Sequence, residues 1–136
     1  MIIKIAPDKE KARSLLMMAT LREQSLKELE KIKTHSTIIA ETYYEIIKEL
    51  CTAIALAEGD KSTGDNAHKY LIIFVKKYGF EESEIENMQD LRIKRNKSSY
   101  EGKPIEEIYL ENKKQNLLKI IEKSKKILKE KLDNRK

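Results

Sequence analysis

Residues 91–104, LRIKRNKSSYEGKP, end an otherwise ordinary helical stretch with a charged group where an apolar one is expected. If the run from Ser83 is helical, at about 100° per residue, Ile85, Met88 and Leu91 form its apolar stripe. Arg95 projects into the same sector, with Arg92 and Ser99 beside it. A guanidinium does not shed its charge, so its burial is unfavourable unless a carboxylate or a phosphate meets it. The stripe therefore implies an internal ion pair or an anion site at a subunit interface. Asn96 and Tyr100 follow four residues apart on a shared face, and Gly102 and Pro104 end the helix.

Working outward, Glu81, Glu82 and Glu84 place negative charge at the start of this fourth helix, as its dipole favours. Upstream, Ser36 or Thr37 is expected to cap a second helix running to about Glu58 and stopping at Gly59. Its residues Ile38, Ile39, Tyr43, Ile46, Ile47, Leu50, Ile54 and Ala57 are joined by Ala40, Tyr44, Cys51 and Ala55 on further faces, which predicts a central helix. Glu41, Glu45 and Glu49 form its polar seam, either a solvent edge or a row of partners for Arg95, with Glu45 the best placed. Before it, Asp8 caps a long amphipathic helix from Lys9, in which Met17 and Met18 are assigned to the core.

The loop Gly59 to Asn66 reads as turn chemistry throughout and lacks the GxxxxGK[ST] pattern of a phosphate loop. A third helix from about Asp65 directs Ala67, Leu71, Phe74 and Val75 inward, and His68 near its start reads as a hydrogen-bonding structural residue. After Pro104, the residues from Ile105 to Leu128 predict a final helix with lysine-rich outer faces. No strand pattern competes beyond the first five residues.

With 136 residues, few glycines and prolines and abundant Lys, Glu, Ile and Leu, the chain reads as one all-α domain spanning 1–136. The expected architecture is an up-down bundle of four long helices plus a short extra segment. Apolar runs such as Leu71–Val75 are too short to span a bilayer and the N-terminus lacks a signal peptide, so no membrane association and a cytoplasmic location are expected. Cys51, the one cysteine, is expected to be small core filler in a reduced compartment. The net charge of +5 is concentrated at one end: Lys113 to Lys136 holds ten basic residues against three acidic ones. That basic C-terminal helix is either a solvated face or a track for a nucleic-acid backbone or an acidic partner.

Arg95, Asn96 and, after three intervening residues, Tyr100 resemble the motif of HEPN domains: an arginine, a polar residue, a short spacer and a histidine near the end of the fourth helix. Leu91-Arg92 before the motif, Glu101-Gly102 after it, and the Tyr-rich helix ending at Gly59 with His68 in the next extend the resemblance over most of the chain. This sequence departs from the motif at its last position, where Tyr100 replaces histidine. The resemblance implies a homodimer whose paired motifs form a metal-independent endoribonuclease site. No cofactor is implied, and the partner would be a minimal nucleotidyltransferase antitoxin.

On that reading Arg95 holds the scissile phosphate, Asn96 orients it or the ribose, and Tyr100 replaces the acid-base histidine. Arg92, Lys97 and Lys103 are the candidate RNA-binding residues, and Glu45 supports Arg95. A phenol, with a reference pKa of about 10, suits proton donation better than proton uptake at neutral pH. The competing expectation is a HEPN domain that binds RNA or a nucleotide, or assembles with a partner, without cleaving.

Overall fold

The computed structural model describes residues 1–133 as five α-helices and a two-stranded antiparallel sheet. The order is β1 (Ile2–Lys4), α1 (Lys9–Lys31), α2 (Ser36–Glu58), β2 (Asp60–Ser62), α3 (Ala67–Val75), α4 (Glu82–Glu101) and α5 (Glu107–Asp133), with a 3-10 turn at Lys76–Tyr78 after α3. Four helices are long and α3 is short, so the expected all-α bundle is the observed one. No helix among the described residues is long and apolar enough to cross a membrane. The last three residues of the basic C-terminal stretch lie outside the described residues.

Helix α2 is the axis of the bundle and packs against all four other helices. Tyr43, Ile46, Leu50, Cys51, Ala53 and Ile54 on it are fully buried, on nearly half of its circumference. Cys51 is filler, as expected, and burial pushes its thiol pKa up to about 12. The apolar stripes of α1 (Ala12, Ala19, Leu26), α4 (Ile85, Met88, Leu91) and α5 (Leu117, Ile120, Leu128) close around α2.

Several local expectations need correction. Met17 and Met18 are exposed, not core, because the buried face of α1 follows Ala12, Ala19 and Leu26. The cap of α2 is His35, whose Nδ1 accepts from the Thr37 amide at 3.0 Å. Ser36 and Thr37 instead hold the segment before α5: Ser36 Oγ donates to the Ile105 carbonyl at 2.6 Å, and the Ile105 amide donates to Thr37 Oγ1 at 2.8 Å. Ile105 is thus buried ahead of α5, which starts two residues later.

The turn-rich loop after Gly59 contains β2, which pairs with β1 in the register Ile2–Ser62, Ile3–Lys61 and Lys4–Asp60. Composition alone favoured a turn there, but the N-terminal segment supplies a complementary edge. Lys4 Nζ meets the buried Asp60 carboxylate at 2.6 Å, closing one end of the ribbon.

Gly59 makes this junction. It ends α2 in the left-handed conformation, φ 86°, and its carbonyl accepts from the Ile5 amide at 2.8 Å. A Cβ at position 59 would lie 2.7 Å from the Ile5 carbonyl oxygen, a backbone atom with little room to move. We predict that Gly59→Ala destabilises the fold by about 2 kcal/mol or more in urea unfolding, through backbone strain and that clash. A loss under about 0.5 kcal/mol would show that the N-terminal ribbon is not held at this point.

Candidate functional site

The arginine of the motif has the carboxylate its position demanded. Helix α4 carries its stripe from Leu91 to Arg95, and the guanidinium Nη2 lies 3.3 Å from Glu45 Oε1 on α2. Glu45 uses its other oxygen for Lys48 Nζ, at 2.9 Å. The two neighbours of Glu45 in the seam are also engaged: Ser98 Oγ donates to Glu41 at 2.9 Å, and Arg22 Nε donates to Glu49 at 2.7 Å. The seam is therefore a row of partners, facing α4 at one end and α1 at the other.

Arg95 and Glu45 stay about a quarter exposed, at 24% and 25%, so the pair sits at the rim of the core. One long contact of this kind contributes about 1 kcal/mol or less. It takes one of the five guanidinium donors, and the planar group also stacks over the Tyr44 ring, 5.3 Å from Cζ to the centroid. Tyr44 is buried, with a hydroxyl that has no hydrogen-bond partner among the described residues. Burial raises its pKa to about 12 against the opposing pull of Arg95 and Arg92.

A second ring meets Tyr44. His68, in the first turn of α3, packs edge-on against it with centroids 6.4 Å apart. The placement of α3 is fixed by a short relay: Arg92 Nε donates to Gln89 Oε1 at 2.7 Å, and Gln89 Nε2 donates to the Lys69 carbonyl at 3.0 Å. Residues distant in sequence, from α2, α3 and α4, thereby share one surface holding Tyr44, Glu45, Lys48, His68, Arg92 and Arg95.

The other expected site residues are placed differently. Asn96 is half-buried beside Arg92 on α4. Tyr100 is 79% exposed near the end of the same helix, which runs through to Glu101 before Gly102 closes it with φ 68°. No unwinding at Gly102 brings Tyr100 back, and a regular helix separates Arg95 and Tyr100 by about 140°. Lys97 and Lys103 do not join Arg95 either: they line a separate cavity with Lys94 and Tyr109 between α4 and α5, because Lys97 lies on the opposite side of α4. Lys103 also contacts Glu101, at 3.6 Å.

Much of the basic character of α5 is consumed internally. Lys114 pairs with Glu30 at 2.5 Å, Lys123 with Glu84 at 2.6 Å, Lys125 with Glu23 at 3.0 Å and Lys131 with Glu58 at 2.5 Å. Lys119, Lys126 and Lys129 remain exposed. The residues that sequence reasoning missed are Tyr44, Lys48 and His68. Tyr44 and Lys48 flank Glu45 within one turn, a usable signal, and the resemblance named His68 beside the Tyr-rich helix but gave it no role in the site.

No protein-family model, no curated protein and no solved structure matches this chain. Two guanidiniums and an ammonium stand around one imidazole and one carboxylate, on a rim open to solvent, which favours a bound anion. The His68 pKa is lowered from its ordinary value, first by burial, then by Lys48 and Arg95, with Arg92 adding and Glu45 opposing.

This shift has a defined sign. Below the ordinary histidine pKa of about 6.5 the unfolded chain binds the His68 proton more readily than the folded one, so acidification costs stability. We predict that the melting temperature of wild type falls more steeply from about pH 7 to about pH 5 than that of His68→Gln, which lacks the titrating ring. Parallel profiles would mean that neither burial nor the surrounding cations act on His68.

Proposed function

We propose that this chain is a HEPN-like, metal-independent endoribonuclease that works as a homodimer, in the role of a toxin whose antitoxin is a minimal nucleotidyltransferase. The observation that carries the reading is Arg95: it stands at the rim of α4 beside Arg92 with one donor committed to Glu45, leaving the rest of its fork for a phosphate. The toxin role and the antitoxin partner rest on the family resemblance alone.

The straightness of α4 bears on the assembly. One copy does not close Arg95 and Tyr100 on the same phosphodiester, so the site is composite. Two α4 helices related by a two-fold axis set Arg95 of one copy against the exposed Tyr100 of the other. Arg95 then neutralises the phosphate, Asn96 orients it, and Tyr100 donates a proton to the leaving oxygen as the ribose 2′-hydroxyl attacks. A second reading, RNA or nucleotide binding without cleavage, is favoured by Tyr100 itself, which is 79% exposed and which no described side chain orients.

Three measurements separate these readings. Light scattering is expected to show a dimer at micromolar concentration, and a strict monomer would remove the composite site. Metal-free protein incubated with mixed RNA is expected to cleave it, with Arg95→Ala inactive. Tyr100→Phe is expected to slow cleavage by roughly 10²-fold or more and Tyr100→His to preserve it. Full activity in Arg95→Ala would sink the assigned site, and no cleavage by wild type together with retained RNA affinity would favour the binding reading.

The exposed lysines of α5 generate a separate expectation. Truncation at Ser124 would remove the buried Leu128 and Leu132 and so unfold the bundle, whereas Lys119, Lys126 and Lys129 can be changed without touching the core. If they follow an RNA backbone, the triple change to Gln weakens binding to all sequences and lowers the salt slope by about 2 to 3. Unchanged affinity and slope would leave them as a solvated face.

A further inference from the structure

We propose that His68 belongs to the same phosphate site as Arg92 and Arg95, and that it is the group that takes the 2′-hydroxyl proton of the RNA. The inference rests on the ribonuclease reading for its chemistry and on the geometry of Tyr44 for its place. The Tyr44 ring is the common floor: Arg95 stacks over it at 5.3 Å and His68 meets it edge-on at 6.4 Å, so a phosphate held by Arg95 lies within the neighbourhood of the imidazole. The Tyr44 hydroxyl in that floor is buried and lacks a partner among the described residues. The Arg92–Gln89–Lys69 relay holds the first turn of α3, and with it His68, against α4.

The charges around His68 suit a base. Lys48 and Glu45 face it from α2 and Arg92 and Arg95 from α4, and the balance keeps the imidazole neutral near pH 7 with a lone pair available. The side chain is exposed enough for an RNA to reach it. This division of labour also answers the departure from the HEPN motif: a phenol at position 100 is a reasonable acid but a weak base, and the imidazole supplies the missing half.

The step balances as follows in the composite site. His68 accepts the 2′-hydroxyl proton, the 2′-oxygen bonds to phosphorus, and the bond from phosphorus to the 5′-oxygen breaks with its electron pair on that oxygen. Tyr100 of the partner subunit protonates the leaving oxygen, giving a 2′,3′-cyclic phosphate and a free 5′-hydroxyl. The imidazolium loses its proton to solvent and the phenolate regains one. No metal or other co-reactant enters the balance.

Two measurements on the full-length protein test this. In the first, wild type, His68→Gln and Lys27→Ala are compared on single-stranded RNA in the presence of a chelator. His68→Gln is expected to slow cleavage by roughly 10²-fold with helicity unchanged, and to lose the acid limb of the pH-rate profile, while a change at the exposed Lys27 of α1, Lys27→Ala, matches wild type. In the second, the His68 imidazole is titrated by NMR with and without adenosine 3′-monophosphate. Its pKa is expected to rise by about one pH unit or more when the phosphate offsets the two guanidiniums, and not to respond in Arg95→Ala.

Wild-type rates in His68→Gln would overturn the proton-transfer role and leave the ribonuclease reading standing. No cleavage by wild type would remove that reading and the proton-transfer role together; a His68 titration that still responds to the nucleotide would then support the phosphate site alone. A His68 titration indifferent to the nucleotide overturns the site.

Discussion

Glu41, Glu45 and Glu49 stand on a helix that four other helices surround, and ionised carboxylates there require partners. Each finds one on a different residue: Ser98 and Arg95 on α4, and Arg22 on α1. The burial of α2 is driven by its apolar faces, which are non-directional. The seam adds direction, because a rotation of α2 would strand three charges among apolar neighbours. The same seam brings Tyr44 and Lys48 to the rim where Arg95 emerges, so the constraint that orients the bundle also assembles the candidate site.

The lysines of α5 illustrate a second use of charge. Its buried stripe, Leu117, Ile120, Ile121 and Leu128, supplies the attachment to α2. Lys114, Lys123, Lys125 and Lys131 then reach carboxylates on α1, α4 and α2, which registers the helix against three neighbours. Partly exposed pairs of this kind contribute little each, about 1 kcal/mol or less, so their effect is chiefly on register. A basic helix that looks like a polyanion track is in large part an internal seam, and Lys119, Lys126 and Lys129 are the described α5 lysines still facing solvent.

The site combines groups of opposite demand. Arg95 needs its carboxylate to be tolerated at the edge of the core, yet a tight bidentate pair would leave no donors for a ligand. The single 3.3 Å contact and the stacking on Tyr44 hold the guanidinium in place while keeping most of its fork open. His68 is the counterpart: the cations that would attract a phosphate also discourage its protonation, so one field serves both anion binding and a neutral imidazole.

The sequence by itself determined the elements whose signals are local. Periodicity located the central helix and the stripe from Ile85 to Arg95, Asp8 and Gly59 marked helix ends, and charge on an apolar stripe demanded a partner for Arg95, with Glu45 the best-placed candidate, because an unpaired buried guanidinium is prohibitive; the structure decided between that pair and a solvent edge. Tertiary structure alone decided what depends on two segments meeting. The ribbon of Ile2–Lys4 with Asp60–Ser62 exists because Gly59 turns one edge onto the other, and no residue in a turn-rich loop announces a distant strand. Met17 and Met18 are exposed because the packing direction of α1 is set by small residues that let α2 approach closely. His68 reaches Tyr44 only because α3 is short and pinned to α4 through Gln89, a relation between side chains that sequence spacing does not encode.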